Sequence, residues 1–521
     1  MGTRKTELCG NYFRMATTIT SILLLFFNPF AFSQPDIAWE ATFGGTENEF
    51  LHDGQATSDG GYILVGHTLS NDGDVSGNHG EEDVWVVKVD ATGALEWQRA
   101  YGGSDRELGR AILQTADGGY IFAGSTSSED GDVAGNNGSL DYWVVKIDAV
   151  GTIEWENAYG GSGNDRGRLL LQTIDGGFLV GGYSSSVNGD ISSNNGVNDF
   201  WIVKIDSNGT LQWEHSYGGS DSEYPYKAIQ TADNGFIIVG DTESNDGDIS
   251  LNQGEKDIWV VKTDATGNLE WQKTFGGSES ETGFDIVELP DGGYRVVGDS
   301  ESADGDVSNP KGFYDIWMLK LDANGTLLSE KSYGGNSNES ASTLLPTDDD
   351  GYIISGFSLS STDDVSNNYG NNDVWVLKIN EGEEIVWEKN YGGTHSDTVK
   401  GITFGSDGNL TFFAQTFSED IDVTENQGER DYWIVKLGEL LSNNSVDNSS
   451  IKVYPNPASN VLFVEATIPI ANLQLLNVLG QTVHSASETS RIDVSEVSKG
   501  GYFLRIRFED GSSTIQKIII Q

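Results

Sequence analysis

The sequence has 521 residues, with 80 acidic residues against 30 basic ones and a formal net charge of −50. A surface this negative repels phosphate, which excludes binding to nucleic acids or anionic membranes through a basic patch. The hydrophobic fraction of 37% and the aromatic fraction of 10% are enough for a core, so the acidity does not indicate disorder. We therefore expect a folded, acidic protein.

The first 33 residues have the layout of a secretory signal peptide. Three basic residues precede an apolar run at residues 22–27, which is too short to span a bilayer, and small residues stand at Ala31 and Ser33. We predict cleavage before Gln34 and export to the periplasm. The one cysteine, Cys9, would be removed, so the mature chain would have no thiol for catalysis or for a zinc site.

The following region repeats with a fixed period of 58 residues. One tryptophan marks each period: Trp85, Trp143, Trp201, Trp259, Trp317, Trp375 and Trp433. An aromatic residue followed by Gly-Gly also marks it: Phe43, Tyr101, Tyr159, Tyr217, Phe275, Tyr333 and Tyr391. Because no residue is inserted or deleted between these markers, we predict seven structurally equivalent units.

Each unit contains four short runs of β-forming residues separated by turns of Gly and Asp. Four strands repeated seven times, without helical periodicity, predict an all-β fold, a seven-bladed β-propeller over residues 34–437. The last unit lacks its fourth strand, whereas residues 38–43 form an extra strand before the first unit. We predict that this N-terminal strand completes the last blade and closes the ring.

An acidic residue recurs at one position of every unit: Glu49, Glu107, Asp165, Glu223, Glu281, Glu339 and Asp397. Two such carboxylates could serve glycoside hydrolysis, but a catalytic pair needs two different environments and this column repeats one environment. We expect these residues to accept hydrogen bonds from turn amides. The histidines show no metal-ligand spacing, and no nucleophile or phosphate-loop motif occurs, so we predict no catalytic residue.

The positions on either side of the acidic column differ from unit to unit, and we expect them to ring one mouth of the central channel. Aromatic and basic side chains there could stack on sugar rings or clamp a peptide. The predicted ligand-binding residues are Phe50, His52, Arg110, Arg168, Tyr224, Tyr226, Phe284 and Lys400. Ordinary variation among loop residues is the alternative interpretation.

A loop rich in Asp follows the second strand of each unit, and its oxygen-bearing side chains have the spacing of some calcium loops. The predicted calcium ligands are Asp72, Asp74, Asp83, Asp130, Asp132, Asp141, Asp246, Asp248 and Asp257. The first Asp becomes Asn188 or Thr362 in other units, and the bidentate Glu of calcium loops is absent. Turns capped by Asp side chains are the alternative.

The first two units share a series of short motifs, at residues 86–90, Gly93, Trp97, residues 101–104, residues 118–120 and residues 124–126. In these motifs the units resemble the SBBP class of bacterial seven-bladed β-propeller repeats. The Asp-Gly-Asp-Val loop departs from that pattern. The resemblance implies a fold and an extracellular bacterial setting, but no activity.

Residues 438–450 are polar and lack strand patterning, so they are typical of a linker. Residues 451–521 contain an ordered series of motif residues: Tyr454, Pro455, Asn456, Pro457, Gly480, Gly501, Tyr502 and Lys517. In this series they resemble the type A C-terminal sorting domain of the type IX secretion system of Bacteroidetes. The resemblance implies an Ig-like β-sandwich that engages the secretion machinery, is usually cleaved, and often leaves its cargo attached to surface lipopolysaccharide.

The acidity is confined to the predicted cargo. Residues 1–33 carry a net charge of +2 and residues 451–521 a net charge of 0, which leaves −52 on residues 34–450. We expect a monomeric, non-enzymatic propeller, secreted or held at the outer-membrane surface, that binds a glycan, a polysaccharide or a protein. The alternatives are a hydrolase or lyase of extracellular polysaccharide and a structural adhesin. Calcium is the one cofactor that the pattern suggests.

Overall fold

The structure, a computed structural model, describes residues 34–438, 451–466, 469–477, 482–487, 489–495, 497–508 and 513–521. The predicted signal peptide, most of the linker and Gly480 lie outside these residues. Within the described ranges every element of regular secondary structure is a β-strand, which confirms the predicted all-β class.

Twenty-eight strands form seven four-stranded antiparallel sheets. The first four sheets contain β2 (Glu49–Ala56), β3 (Tyr62–Thr68), β4 (Asp83–Val89), β5 (Leu95–Tyr101); β6 (Glu107–Gln114), β7 (Tyr120–Thr126), β8 (Asp141–Ile147), β9 (Ile153–Tyr159); β10 (Asp165–Gln172), β11 (Phe178–Ser184), β12 (Asp199–Ile205), β13 (Leu211–Tyr217); β14 (Glu223–Gln230), β15 (Phe236–Thr242), β16 (Asp257–Thr263) and β17 (Leu269–Phe275). The other three contain β18 (Glu281–Glu288), β19 (Tyr294–Ser300), β20 (Asp315–Leu321), β21 (Leu327–Tyr333); β22 (Glu339–Pro346), β23 (Tyr352–Ser358), β24 (Asp373–Ile379), β25 (Ile385–Tyr391); β26 (Asp397–Phe404), β27 (Leu410–Thr416), β28 (Asp431–Leu437) and β1 (Ile37–Phe43).

The N-terminal strand completes the seventh sheet, as predicted. β1 pairs antiparallel with β28, from Ile37 opposite Leu437 to Phe43 opposite Tyr432. The first strands of successive sheets contact one another, and β26 of the seventh sheet in turn contacts β2 of the first. The seven sheets are therefore the blades of a β-propeller whose inner strands are β2, β6, β10, β14, β18, β22 and β26.

The hydrophobic core lies between the blades. Trp143 of the second blade, for example, packs in one buried cluster with Val65 and Val86 of the first. The repeated tryptophan of each third strand is fully buried. Its indole N–H donates to a polar side chain on the adjacent outer strand, as Trp85 does to Gln98 at 2.8 Å. This pairing satisfies a group whose burial without a partner would be unfavourable.

A pair of buried carboxyl groups lies at each junction between neighbouring blades, and we call this pair the carboxylate clasp. It comprises the Asp that begins a third strand and the acidic residue that begins the next inner strand: Asp83 with Glu107, Asp141 with Asp165, Asp199 with Glu223, Asp257 with Glu281, Asp315 with Glu339, Asp373 with Asp397 and Asp431 with Glu49. All of these carboxyl groups are buried.

The glycine after each repeated aromatic residue separates the two carboxyl groups of a clasp. A Cβ atom at Gly102 would lie 2.4 Å from Glu107 Oε2 and 2.6 Å from Asp83 Oδ1. Glu107 accepts hydrogen bonds from the Gly103 N–H at 2.8 Å and the Thr126 hydroxyl at 2.6 Å. The acidic column therefore has structural hydrogen-bond partners in the turn and in the neighbouring strand.

The C-terminal region forms two smaller sheets that share one buried core. Their strands are β29 (Lys452–Tyr454), β30 (Val461–Glu465), β31 (Ile470–Leu476), β32 (Thr482–Ser487), β33 (Arg491–Asp493), β34 (Gly500–Phe508) and β35 (Ser513–Ile520). Asn456 ties its loop to β35 by donating to the Lys517 carbonyl at 2.8 Å and accepting from the Ile519 N–H at 2.9 Å. The Tyr502 hydroxyl donates to the Ser498 carbonyl at 2.9 Å.

Candidate ligand-binding site

Every inner strand carries one β-bulge at the same position. In β2, Leu51 pairs with Gly66 and Asp53 with Val65, which leaves His52 between them without a partner. The other six inner strands show the same register shift. A bulge re-aims a side chain at the point where the pairing is interrupted.

The seven bulge residues, which we call the bulge ring, line one cavity of about 340 Å³. They are His52, Arg110, Arg168, Tyr226, Phe284, Ser342 and Lys400. Six of the eight predicted ligand-binding residues belong to this ring, and Ser342 is an additional member. The cavity therefore has seven backbone positions related by the repeat, and these carry side chains of six different types.

One arc of the ring is cationic. Arg110 Nη1 donates to His52 Nδ1 at 3.1 Å, which leaves the imidazole proton on Nε2. Burial and the surrounding positive charges hold the pKa of His52 well below its usual value, so His52 is neutral at neutral pH. Within the described part of the chain, Nε2 of His52 has no hydrogen-bond partner. It is thus a free donor at the cavity wall.

Lys400 completes this arc. Burial, together with the positive charges of Arg430 and Arg110, lowers the pKa of Lys400 to about 8. Among the residues that the structure describes, Lys400 has no hydrogen bond or ion pair, and neither Arg110 nor Arg168 has a carboxylate at salt-bridge distance. Three basic side chains without acidic partners thus line one cavity in a protein of net charge −50.

The opposite arc is aromatic. The rings of Tyr226 and Phe284 meet edge to face with centroids 5.0 Å apart. The Arg168 guanidinium lies over the ring of Tyr226 at 4.8 Å, and it also lies 5.0 Å from the Tyr183 ring and 5.4 Å from the Tyr224 ring. These contacts hold the guanidinium in place without neutralising its charge.

Two carboxyl groups also line the cavity, and both accept hydrogen bonds from backbone N–H groups. Asp53 accepts from the N–H groups of Ile112 at 3.0 Å and Gly54 at 2.8 Å, while burial raises its pKa to about 6. Asp285 accepts from the N–H groups of Leu344 at 2.9 Å and Ile286 at 2.8 Å, and burial also raises its pKa. Each carboxyl group thus links its own inner strand to the next inner strand by a hydrogen bond, which is a structural role.

The two remaining predicted residues, Phe50 and Tyr224, lie beside the ring and not in the cavity lining. Phe50 stacks on His67 at 4.7 Å, and Arg430 lies between Phe50 at 4.3 Å and Phe417 at 4.4 Å. Tyr224 meets Tyr183 edge to face at 4.8 Å. They support the cationic and aromatic arcs from one side.

The sequence interpretation missed Arg430, Tyr183 and Lys227. Tyr183 lies on β11 and Arg430 lies just before β28, so neither residue is on an inner strand. A search restricted to the flanks of the acidic column could therefore not find them. Lys227 follows the bulge in β14, and its Nζ lies 4.0 Å from Asp285 Oδ1 on the adjacent inner strand β18. No other unit has a basic residue at this position, and that difference was the available signal.

The predicted calcium ligands have separate hydrogen-bond roles. Asp72 accepts from the N–H and the hydroxyl of Thr46 at 2.8 and 2.9 Å, Asp74 from the Gly44 N–H at 3.3 Å, and Asp83 from the His79 N–H at 2.8 Å. No group of three or more His, Cys, Asp or Glu side chains suited to a metal ion occurs within the described ranges. The geometry supports the turn-capping alternative.

A second cavity, of about 590 Å³, lies along outer strands of the first two blades. Its lining includes Trp97 and Tyr101, which recur in other units, together with Arg99. The Tyr101 hydroxyl donates to the Gly151 carbonyl at 2.6 Å and so joins the two blades. This cavity thus belongs to the repeated blade contact.

Comparison with known proteins gives one sequence relative and several distant propeller structures. The chain is 24% identical over 397 residues to the regulatory protein FlaEY of Caulobacter vibrioides, and the match covers 72% of this chain and 37% of FlaEY. The chain thus spans little more than a third of the length of that relative.

Among solved structures, the WD40 domain of Neurospora crassa Pan2 matches with a TM-score of 0.40 and 12% identity, over 76% of this chain and 90% of that one. A Synechocystis apocarotenoid oxygenase matches with a TM-score of 0.39 and 12% identity, over 79% and 95% of the two chains.

The C-terminal region is identified by its sequence family. Residues 452–521 match the model of the secretion system C-terminal sorting domain, and this match supports export to the cell surface or the extracellular space. Searching the described residues for a helix long and apolar enough to cross a membrane finds none. The chain is a seven-bladed β-propeller followed by a C-terminal sorting domain of the type IX secretion system.

Proposed function

We propose that this protein is an exported, non-enzymatic binding protein whose propeller takes up an acidic glycan chain at the bulge ring. The observation that carries the proposal is the ring itself. Seven equivalent bulges aim side chains of six different types into one cavity, while neighbouring positions such as the clasp acids repeat in every blade. A cavity lining that varies between otherwise equivalent repeats is typical of a specificity site.

The charges of the ring favour a negatively charged ligand. Arg110, Arg168 and Lys400 meet no acidic partner among the described residues, and bringing them together in a partly buried cavity is unfavourable until an anion binds. A carboxylate or sulfate group would accept from Arg110 and Lys400 and from the free Nε2–H of His52. The acidic surface outside the ring would repel any anion not directed to this cavity.

The aromatic arc favours a ligand in which the negatively charged group is attached to a sugar. Tyr226 and Phe284 offer apolar ring surface next to the cationic arc, and aromatic rings stack on the apolar faces of sugars. A cavity of about 340 Å³ holds part of a chain, such as one or two sugar units, and not a folded partner. The sorting domain supplies the setting, because export would expose the ring to extracellular polysaccharides.

An enzyme for polysaccharides is the second candidate, favoured by the raised pKa values of Asp53 and Asp285 in the same cavity. Both carboxyl groups already accept two backbone N–H bonds each. A general acid or base must instead present a free oxygen to the substrate. We therefore propose binding without turnover.

The test is to measure binding of the purified chain to neutral, uronic-acid and sulfated polysaccharides while assaying released reducing ends. We expect acidic polysaccharides to bind without product, and the variants Arg110→Gln and Tyr226→Ala each to weaken binding tenfold or more. Arg99→Gln, on an outer strand, is the matched control and should bind as the unmodified protein does.

Each other outcome contradicts a defined part of the proposal. Equal binding of neutral polysaccharides would show that the cationic arc does not select the ligand. Released sugar would establish the enzyme. No binding to any polysaccharide would overturn the glycan proposal in favour of a protein ligand or a structural role.

A further inference from the structure

The turn between β22 and β23 of the sixth blade differs from its six counterparts. At the position of Asp348 the other blades have Ser58, Ala116, Ile174, Ala232, Pro290 and Ser406, and at the position of Asp350 they have Gly60, Gly118, Gly176, Asn234, Gly292 and Gly408. The sixth blade alone has carboxyl groups at both positions.

The third carboxyl group of this turn, Asp349, has the ordinary role of the repeat. It accepts from the Thr347 hydroxyl at 2.6 Å and pairs with Lys378, just as Asp117 accepts from the Thr115 hydroxyl and pairs with Lys146. Asp348 and Asp350 are therefore additional charges that the turn itself does not need.

Asp350 has a left-handed backbone conformation with φ of 61°, where five of the other blades have glycine with positive φ. A residue with a Cβ atom is disfavoured in that conformation by about 1 kcal/mol. Glycine at this position would thus make the backbone conformation more favourable, so the presence of the Asp350 carboxyl group requires another explanation.

That explanation is found on the sorting domain. On β34 the side chains of Leu504, Ile506 and Phe508 are buried in the core of that domain, so Arg505 and Arg507 project from the other face of the same strand. Arg507 forms a bidentate pair with Asp350, at 2.9 Å to Oδ2 and 3.1 Å to Oδ1, and Arg505 pairs with Asp348. Arg507 also donates to the Asp348 carbonyl.

We propose that the Asp348–Asp350 turn is a docking site by which the sixth blade holds the sorting domain in one orientation. The partner is this chain's own β34, and recognition is by two parallel arginine–aspartate pairs. The proposal is independent of the ligand of the bulge ring. It means that the export signal is presented on a fixed part of the cargo.

Long-range charge favours the same contact. The sorting domain is neutral overall, whereas residues 34–450 carry −52, so a face with two arginines is drawn to the propeller. Exposed ion pairs are individually weak, at about 0–1 kcal/mol each, but bidentate geometry and two adjacent pairs make the contact specific. The contact should weaken with salt, because screening shortens the reach of these charges.

The test uses the full exported chain, in which all residues after position 33 are cysteine-free. The variant Asp348→Cys/Gln474→Cys places one thiol in the turn and one beside Arg505, which donates to Gln474 at 3.3 Å. A short bis-maleimide reagent should crosslink the two within one molecule. Ala116→Cys/Gln474→Cys, in the equivalent turn of the second blade, is the control and should not be crosslinked.

Two further variants show whether charge pairing holds the contact. We expect Arg507→Glu, added to the cysteine pair, to reduce the crosslinked yield severalfold, and Asp350→Lys, added to that, to restore it. Thermal melting of each variant would exclude unfolding as the cause. Absence of crosslinking in the first pair, equal crosslinking in the control pair, or a yield unaffected by Arg507→Glu would each overturn the proposal.

Discussion

Two positions three residues apart on each inner strand have opposite characters. The first residue of the strand, such as Glu49, is an acid of the carboxylate clasp, is buried, and has the same partners in every blade. The bulge residue, such as His52, lies in the cavity and differs from blade to blade. One position joins the blades, and the other distinguishes them.

The difference follows from what surrounds each position. The clasp acid is fixed by two neighbouring blades and by the glycine between the carboxyl groups, so another side chain there would leave buried donors without an acceptor. The bulge residue has no paired partner in the sheet, so its side chain can change without disturbing the ladder. A repeat protein can thus keep its ring while changing its ligand.

Truncation of a clasp acid should have the largest effect. Glu223→Ala removes the acceptor of the Gly219 N–H and the Thr242 hydroxyl, which lie 3.0 and 2.7 Å away. Because each buried donor left unpaired costs about 1–3 kcal/mol, we expect the free energy of unfolding to fall by about 3 kcal/mol. Chemical denaturation measures this, with exposed Glu243→Ala as the control. A loss equal to that of the control would contradict the structural role of the clasp.

Removal of a bulge charge should affect binding and leave the fold intact. Lys400→Met deletes a positive charge that Arg110 and Arg430 repel, so the melting temperature should stay the same or rise. Binding of an acidic ligand should weaken about tenfold, equivalent to about 1.4 kcal/mol.

The pH dependence of ligand affinity tests whether the charge of Lys400 contributes to binding. The pKa of Lys400 is about 8, so affinity for an acidic ligand should fall as the pH rises through 8 in the unmodified protein and stay flatter in Lys400→Met. Binding should be measured by calorimetry from pH 6.5 to 9.5. Identical profiles for the two proteins would exclude Lys400 as the titrating group.

The smallest effect is expected where a clasp carboxyl group is made neutral without loss of shape. Burial and the charge of Glu281 raise the pKa of Asp257 to about 7. A carboxyl group whose pKa is raised by folding stabilises the fold at low pH, and this contribution is lost as the pH rises through 7. We expect Asp257→Asn to be more stable than the unmodified protein at pH 8, by about 1 kcal/mol, because the amide can still accept the Gln253 N–H.

The advantage of Asp257→Asn should diminish as the pH falls below 7, where Asp257 itself becomes protonated. Thermal melting of both proteins at pH 8 and at pH 5.5 would show this. A variant less stable than the unmodified protein at pH 8 would mean that the ionised carboxylate stabilises the clasp.

Much of the fold was predictable because a strict period fixes which residues are equivalent. The position of Trp85 and its counterparts predicted the blades, and the unmatched strand before Phe43 predicted the completion of the seventh sheet. The bulge was not predicted, because a register shift depends on pairing with the next strand. Gly109, Gly167, Pro225 and Gly283, which stand immediately before the bulge residue in four units, were the available signal. Arg430 joins the cavity region only through folding, since it lies far from His52 in sequence.

The pairing of β1 with β28 also determines when the propeller can be completed. The partner of the first strand is among the last residues of the ring, so Ile37 has nothing to pair with until Leu437 is available. A chain that emerges from its N-terminal end must keep an unpaired strand edge open during the whole of synthesis or transport. Completion of the ring is thus a late event in folding, because it requires both ends of the propeller sequence.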